Sequence, residues 1–425
     1  MTTLRIYISA LARPATSAFY ILFGNLISQY IEKYLISAYI IRQFGAQTSG
    51  SFVVGRTIAS IFMTLSVGPT RNALMRGRSR GGKLNELVFS GTLVGAGLAC
   101  TIATPILLMS GSIAQSLNAE VLVEFLPSFV LAAVFSILAQ NLAGTFVIHN
   151  SLAKFAMLQV GGSVTLLPVI LLADRGGIAG INLGYVLSAV GSLLLCGAVT
   201  WPKLSPHVRP PWAPVKRVLI DTIPFGAVLG LTQIMNSGDR LLVSVMFGAE
   251  AVTFYYIAVT TAFLFLAPLE ALEGALLPVF VNHSATGSRI SVSQLRAIVT
   301  IAAPVLVLLV ALPLGPFIGE LLYGTEKWER SLTLYWILVL GGVLSAMQCG
   351  SRSYIVAFGE PATSLKINAA STLLAGACWL IMGLSLGLNG IAGGTAVAIG
   401  VRGFLYVYAS RRLERRIDRA GTVGR

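Results

Sequence analysis

The 425-residue chain is 55% apolar and only 11% charged, with a mean hydropathy of +0.81, where soluble domains run near roughly 45–50% and 25%. A single water-soluble core is excluded, because it would need far more polar surface around it. The formal charge of +14 raises nucleic acid as a partner, but the basic residues sit at the ends of apolar runs and form no separate domain, so none is expected.

The chain opens MTTLRIYISALARPATSAFYILFGNLISQYIEKY. It has no compact apolar segment followed by a small-residue cleavage site, and so reads as a retained first span. Taking about 20 predominantly apolar residues per crossing, twelve runs follow in order: 16–41, 48–70, 87–112, 121–147, 154–173, 178–200, 219–247, 251–280, 297–322, 332–357, 364–386 and 390–409. The runs 121–147 and 251–280 are long, and Pro127 and Pro268 mark where tilt or a kink is expected. The expected fold is an all-α polytopic membrane protein of about twelve helices, in two six-helix repeats around a central cavity.

Lys and Arg set the orientation. One set of connections carries 21 of them, including Arg71, Arg76, Arg78, Arg80, Arg296 and the cluster from Arg411 to Arg425. The other set carries four: Arg42, Arg175, Lys327 and Arg330. The positive-inside rule then puts both termini in the cytoplasm. The Pro-rich, basic segment WPKLSPHVRPPWAPVKR is the one connection that reads as a linker. It divides the chain into an N-terminal bundle over 1–200, a cytoplasmic linker over 201–218, a C-terminal bundle over 219–410 and a basic cytoplasmic tail over 411–425.

The two halves repeat one another. Asn25, Gln29, Glu32 and Lys33 share their spacing with Thr232, Asn236, Asp239 and Arg240. Phe44-Gly45-Ala46 matches Phe247-Gly248-Ala249, and Gly177-Ile178-Ala179-Gly180 matches Gly390-Ile391-Ala392-Gly393. Six spans per half give both halves the same orientation, which relates them by an axis along the membrane normal and suits alternating access.

Several charges fall inside apolar runs, where each costs about 2.5–3.5 kcal/mol on insertion scales. They are Glu32, Lys33, Arg56, Asp239, Arg240, Glu270, Glu273, Arg352 and Arg402. On an α-helix, Asn25, Gln29 and Glu32 share a face, and the same face recurs around Asn236 and Asp239. Lys33, Arg56, Arg240 and Arg402, with Asn25, Gln29 and Asn236, are therefore expected to line a wet cavity and bind substrate. Arg352 is near enough to a basic end to snorkel. Glu270 and Glu273, together with Glu32 and Asp239, are candidates for coupling or gating. They would take up a proton or cation, or accept from a nearby Arg. A net-positive cavity favours a phosphate or carboxylate over a hydrophobic cation.

Cys100, Cys196, Cys349 and Cys378 lie in apolar runs without metal-ligand spacing, and read as packing residues. No metal, no cofactor and no disulfide is expected. No Walker A, HExxH or GxSxG string occurs, and no connection is long enough for an ATPase or glycosyltransferase domain. The chain therefore does not read as an enzyme.

The segment IPFGAVLGLTQIMNSGDRLLVSVMFGAEAVTFYYIAV resembles the polysaccharide or O-antigen flippase branch of the multidrug/oligosaccharidyl-lipid/polysaccharide superfamily. The features that carry the likeness are a Pro-initiated seventh span, Asn236-x-x-Asp239-Arg240, a Phe-Gly turn and a Tyr-rich eighth span, together with Gly-Ile-Ala-Gly before spans six and twelve. The twelve-plus-repeat pattern extends it over the whole chain, whereas lipid II flippases usually carry two further spans. The resemblance implies a flippase of undecaprenyl-diphosphate-linked oligosaccharide in the bacterial cytoplasmic (inner) membrane, coupled to an ion gradient. Its partners would be the anionic lipid-linked glycan, membrane lipid and a polysaccharide polymerase. Lys33, Arg56, Arg240 and, more loosely, Arg402 would hold the head group. The alternative is a cation/drug antiporter of the same superfamily.

Overall fold

The computed structural model describes residues 23–423, apart from 25, 29, 80–82, 149–150, 201–211, 270–271, 274–275, 277–279, 281–288 and 359–360. A π-helical stretch, Tyr30–Ile36, runs into α1 (Ser37–Gln43). Then come α2 (Ala46–Ser79), α3 (Leu84–Leu108), the short α4 (Ser110–Ser116), α5 (Leu122–Ile148), α6 (Leu152–Val164) and α7 (Pro168–Thr200). They are followed by α8 (Trp212–Phe263), α9 (Arg289–Tyr323), α10 (Thr325–Ala346), the short α11 (Ser351–Ala357) and α12 (Pro361–Val423). No strand occurs among the described residues. Eight stretches of them are long and apolar enough to cross a membrane. The protein is an all-α polytopic membrane protein.

Three of those stretches are hairpins. Each of α7, α8 and α12 is interrupted at a single glycine of positive φ: Gly177 (56°), Gly248 (80°) and Gly387 (65°). Residues with a Cβ rarely adopt that conformation, so a glycine is what lets one span turn directly into the next. The expected breaks at 173/178, 247/251 and 386/390 fall on these turns. Below the turn the arms of α7 and α12 pack alike. Thr165 Oγ1 meets Ser188 Oγ at 3.0 Å in one, and Trp379 Nε1 donates to Thr395 Oγ1 at 2.9 Å in the other. A side chain at Gly180 would run into the Leu172 carbonyl and one at Gly184 into Val169, while Gly390 and Gly394 stand in the same relation to Met382 and Cys378. Gly180 and Gly184 thus correspond to Gly390 and Gly394, a shift of 210 residues. The Gly-Ile-Ala-Gly strings suggested 213, because three residues of string similarity concealed the real turn, Gly387.

Other helices break where their chemistry requires it. The eighth span opens into a tight turn at 264–266, ahead of Pro268, as its missing N–H predicts, whereas Pro127 stays within the unbroken α5. Three breaks were not expected. The third span ends at Leu108, and the short α4 follows a turn at Met109. The fifth span is interrupted at 165–167 before Pro168, and the tenth at 347–350, where Gly350 has φ 79°.

The described residues fall into two compact units, one from Phe23 to Tyr256 and one from Ile257 onward. In the first, α5 packs against α2, α3 and α7, around a ring cluster of Phe52, Phe125, Phe129 and Tyr185 with centroids 4.9–6.0 Å apart. The expected linker lies outside the described residues as far as 211, and α8 begins at Trp212. In the second unit, α10 packs on α9 and α12, and α12 carries on as helix through the expected tail to Val423.

The second unit holds a buried ion pair. Arg296, 4% exposed, donates to Ser410 Oγ at 2.6 Å and to Glu414 Oε2 at 2.5 Å, and its guanidinium lies 5.3 Å from the Tyr354 ring centre. Removing one member of such a pair strands the other charge. Glu414→Ala is therefore expected to cost about 3 kcal/mol or more, read as a lower melting temperature of the detergent-solubilised protein. The double replacement Arg296→Met with Glu414→Met should recover most of the loss. A Glu414→Ala protein that melts with the parent would refute a structural role for the pair.

Candidate functional site

Glu32 and Arg56 lie twelve residues either side of Phe44, where the first span turns into the second. That spacing brings them face to face. Arg56 Nη2 forms an ion pair with Glu32 Oε1, and Nη1 donates to Ser37 Oγ at 2.7 Å. The guanidinium also rests 5.8 Å from the centre of the Tyr185 ring and 5.9 Å from that of Phe52. Aromatic faces and a carboxylate together hold a cation that lipid could not.

Asp239 and Tyr255 flank the next such turn, eight residues either side of Phe247. Tyr255 Oη donates to Asp239 Oδ2 at 2.7 Å, the Arg240 backbone N–H donates to Oδ1 at 2.8 Å, and the carboxylate is buried. The Arg240 guanidinium lies 5.3 Å from the Tyr256 ring centre. The repeat thus places an acid at one position in both hairpins and answers it differently, with Arg56 in one and Tyr255 in the other.

Arg56 and Glu32 border a cavity of about 520 Å³ inside the first unit. It follows one face of α2 through Ser60, Thr64 and Gly68 to Arg71 and Asn72, and is closed by residues of α5, α6 and α7 that include Gln140, Phe155, Gln159 and Tyr185. Ser28 from the first span reaches across to Ser163. Its charged lining is two Arg and one Glu, so the space is net positive and attracts an anion.

The other expected site residues are dispersed. Lys33 sits half-buried on the π-helical stretch and does not border this cavity. Wider π-helical winding turns successive residues differently from the α-helix that the shared-face reading assumed. Asn25, Gln29 and Glu270 lie outside the described residues. Asn236 is exposed, and neither it, Asp239 nor Arg240 borders the cavity. Arg402 lies half-buried on α12 in the other unit. Glu273 lies 3.9 Å from Arg352 Nε, and the Arg352 side chain is 46% exposed. Arg71 was missed as a site residue. It had been counted among the residues ending the second span, yet it lies fifteen residues after Arg56, four turns plus about 60° on an α-helix, and hence on the same side.

At the end of the bundle poor in Lys and Arg, the turns meet closely. Asn118 Nδ2 donates to the Val245 carbonyl at 2.8 Å, Ser244 Oγ to that of Leu117 at 2.5 Å, and Thr253 Oγ1 to that of Ala46 at 2.5 Å. Gly50 packs so tightly on Ala249 that a Cβ would collide with its carbonyl. These contacts lock the three turns against one another.

No protein-family model matches the chain, and no curated protein does. Solved structures do. One is the inward-facing conformation of a multidrug resistance MATE family transporter of the MOP superfamily. It superposes with a TM-score of 0.76 at 18% identity, over 95% of this chain and 99% of that one. The outward-facing conformation of such a transporter gives 0.69 at 17% identity, over 96% and 97%. A MOP superfamily transporter from Pyrococcus furiosus gives 0.71 at 16%, over 95% and 97%. The chain has the MATE fold.

Gly50→Val is expected to force those turns apart. The buried Ser244, replaced as Ser244→Cys, should then react several-fold faster with a hydrophilic maleimide than in the Gly50 background; equal rates would show that the turns are not locked by this contact.

Proposed function

We propose that the protein is an alternating-access transporter of an anionic, lipid-linked oligosaccharide across the cytoplasmic membrane of a bacterium, with both termini cytoplasmic. Two bundles over 1–200 and 219–410 would rock about the carrier site. What carries the reading is the charge of the cavity: two guanidinium groups against one carboxylate, in a space whose wall mixes Ser, Thr, Asn and Gln with Ala, Leu, Met and Phe side chains. A hydrophobic cation would meet repulsion there, whereas phosphoryl oxygens would find bidentate donors. The Pyrococcus furiosus relative supports the logic, since reverse polarity of its binding pocket suggests a different function for it. The residues of the sequence resemblance add the undecaprenyl diphosphate and the glycan. Arg240, Lys33 and Arg402 are proposed as further contacts, Glu32 as the coupling group that competes with substrate for Arg56, and a polysaccharide polymerase as the partner downstream.

A second reading, a cation/drug antiporter, is favoured by the multidrug transporters among the structural relatives and by the acid Glu32 at the cavity. It predicts resistance to cationic dyes on overexpression.

Deleting the gene in its native host should raise undecaprenyl-linked intermediates and lower surface polysaccharide. Complementation with Arg56→Ala should restore export to no more than roughly a tenth of the parental level, the scale of one lost charge-assisted hydrogen bond, while the variant still inserts. Normal surface glycan without accumulated intermediate, combined with dye resistance, would replace this reading with the second.

A further inference from the structure

The two cations of the cavity are not equivalent. Arg56 is occupied by Glu32 and Ser37. Arg71, at the opposite end of the same face of α2, has a ring and no acid: its guanidinium lies 5.8 Å from the Phe155 ring centre. Among the described residues it has no carboxylate or hydrogen-bond partner. Its stem leaves room beside Gly144, where an added Cβ would stand 3.9 Å from Arg71 Cγ. Phe155 therefore holds the group from one side and leaves its N–H edge for something else. A snorkelling arginine needs neither a ring nor a cavity wall.

One turn along α6 from Phe155, the Gln159 side-chain oxygen is buried and accepts no hydrogen bond among the described residues. Buried acceptors are satisfied in the great majority of cases. An orphan acceptor and an arginine with free donors, in the walls of one cavity, suit a guest that brings both an anion and a hydroxyl. Asn72 and Gln140 border the same space.

We infer that Arg71 is an anion-binding position in its own right, which takes a phosphoryl group at the basic end of the cavity while Arg56 is still held by Glu32. Gln159 accepts from a hydroxyl beside that group. This deepens the transporter reading and rests on it: the head group loads at Arg71 first, and Arg56 is reached only when Glu32 lets go. The same chemistry could be offered by an isoprenoid diphosphate or by free inorganic phosphates.

The test is direct binding to the purified full-length protein in detergent, by calorimetry at fixed ionic strength, with farnesyl diphosphate and inorganic diphosphate as separate probes. The parent should bind farnesyl diphosphate. Arg71→Gln should weaken that binding roughly tenfold or more, the scale for losing a charge-assisted bidentate contact. Arg71→Lys keeps the charge if the neutral variant does not fold, and should fall between the two. Equal affinity for inorganic diphosphate would show that the phosphoryl groups alone are recognised. Binding confined to farnesyl diphosphate would identify the lipid-borne head group. Either supports the site, provided that it depends on Arg71. Parental affinity in both variants, or no binding of either probe by the parent, overturns it. Because the deletion phenotype is read in cells, the transporter reading can survive that outcome, and the two failures are distinguishable.

Discussion

A guanidinium inside a bilayer has to be held by something, and Arg56 is held by Glu32. That pair ties the first span to the second across a turn of two residues, and Ser37, Phe52 and Tyr185 complete its surroundings. The ring cluster behind it brings α5 and α7 into the same arrangement. The cavity begins where this assembly ends. A structural ion pair and a binding surface are thus one object, and any anion that claims Arg56 must also contend with the carboxylate that already does.

Pseudo-symmetry explains how such an object arises without being duplicated. The second repeat keeps an acid, Asp239, at the matching place, but meets it with a tyrosine hydroxyl and a backbone N–H. A neutral donor satisfies a buried carboxylate while adding no charge. Arg240 is then left to lie over Tyr256. One scaffold rule, an acid answered by the following helix, yields a paired cation in one half and a ring-supported cation in the other.

Much of this was legible in the sequence. Composition and span length gave the fold class, and apolar runs ended within a few residues of Gly177, Gly248 and Gly387. The mid-span charges led to Glu32, Arg56 and Asp239, because lipid tolerates such groups only where something compensates them. Pairing was not legible, since it depends on which helix comes next to which: nothing in the sequence couples Asp239 to Tyr255 and Glu32 to Arg56. Nor was π-helical winding at Tyr30–Ile36, which has no compositional signature. Arg71 and Arg296 were hidden by a rule that otherwise serves well. Counting basic residues toward an interface treats them all as solvated, yet one lines the cavity and the other is buried against Glu414. A helical wheel drawn through Arg56 would have found the first.

The glycine turns carry a consequence for how the spans are joined. Gly177, Gly248 and Gly387 each reverse the chain within a single residue, and Gly324 joins α9 to α10 as tersely. Two spans joined by a single glycine have almost no slack between them, so each pair would enter the bilayer together as one helical hairpin, and a tag inserted at such a turn would part the two spans it joins.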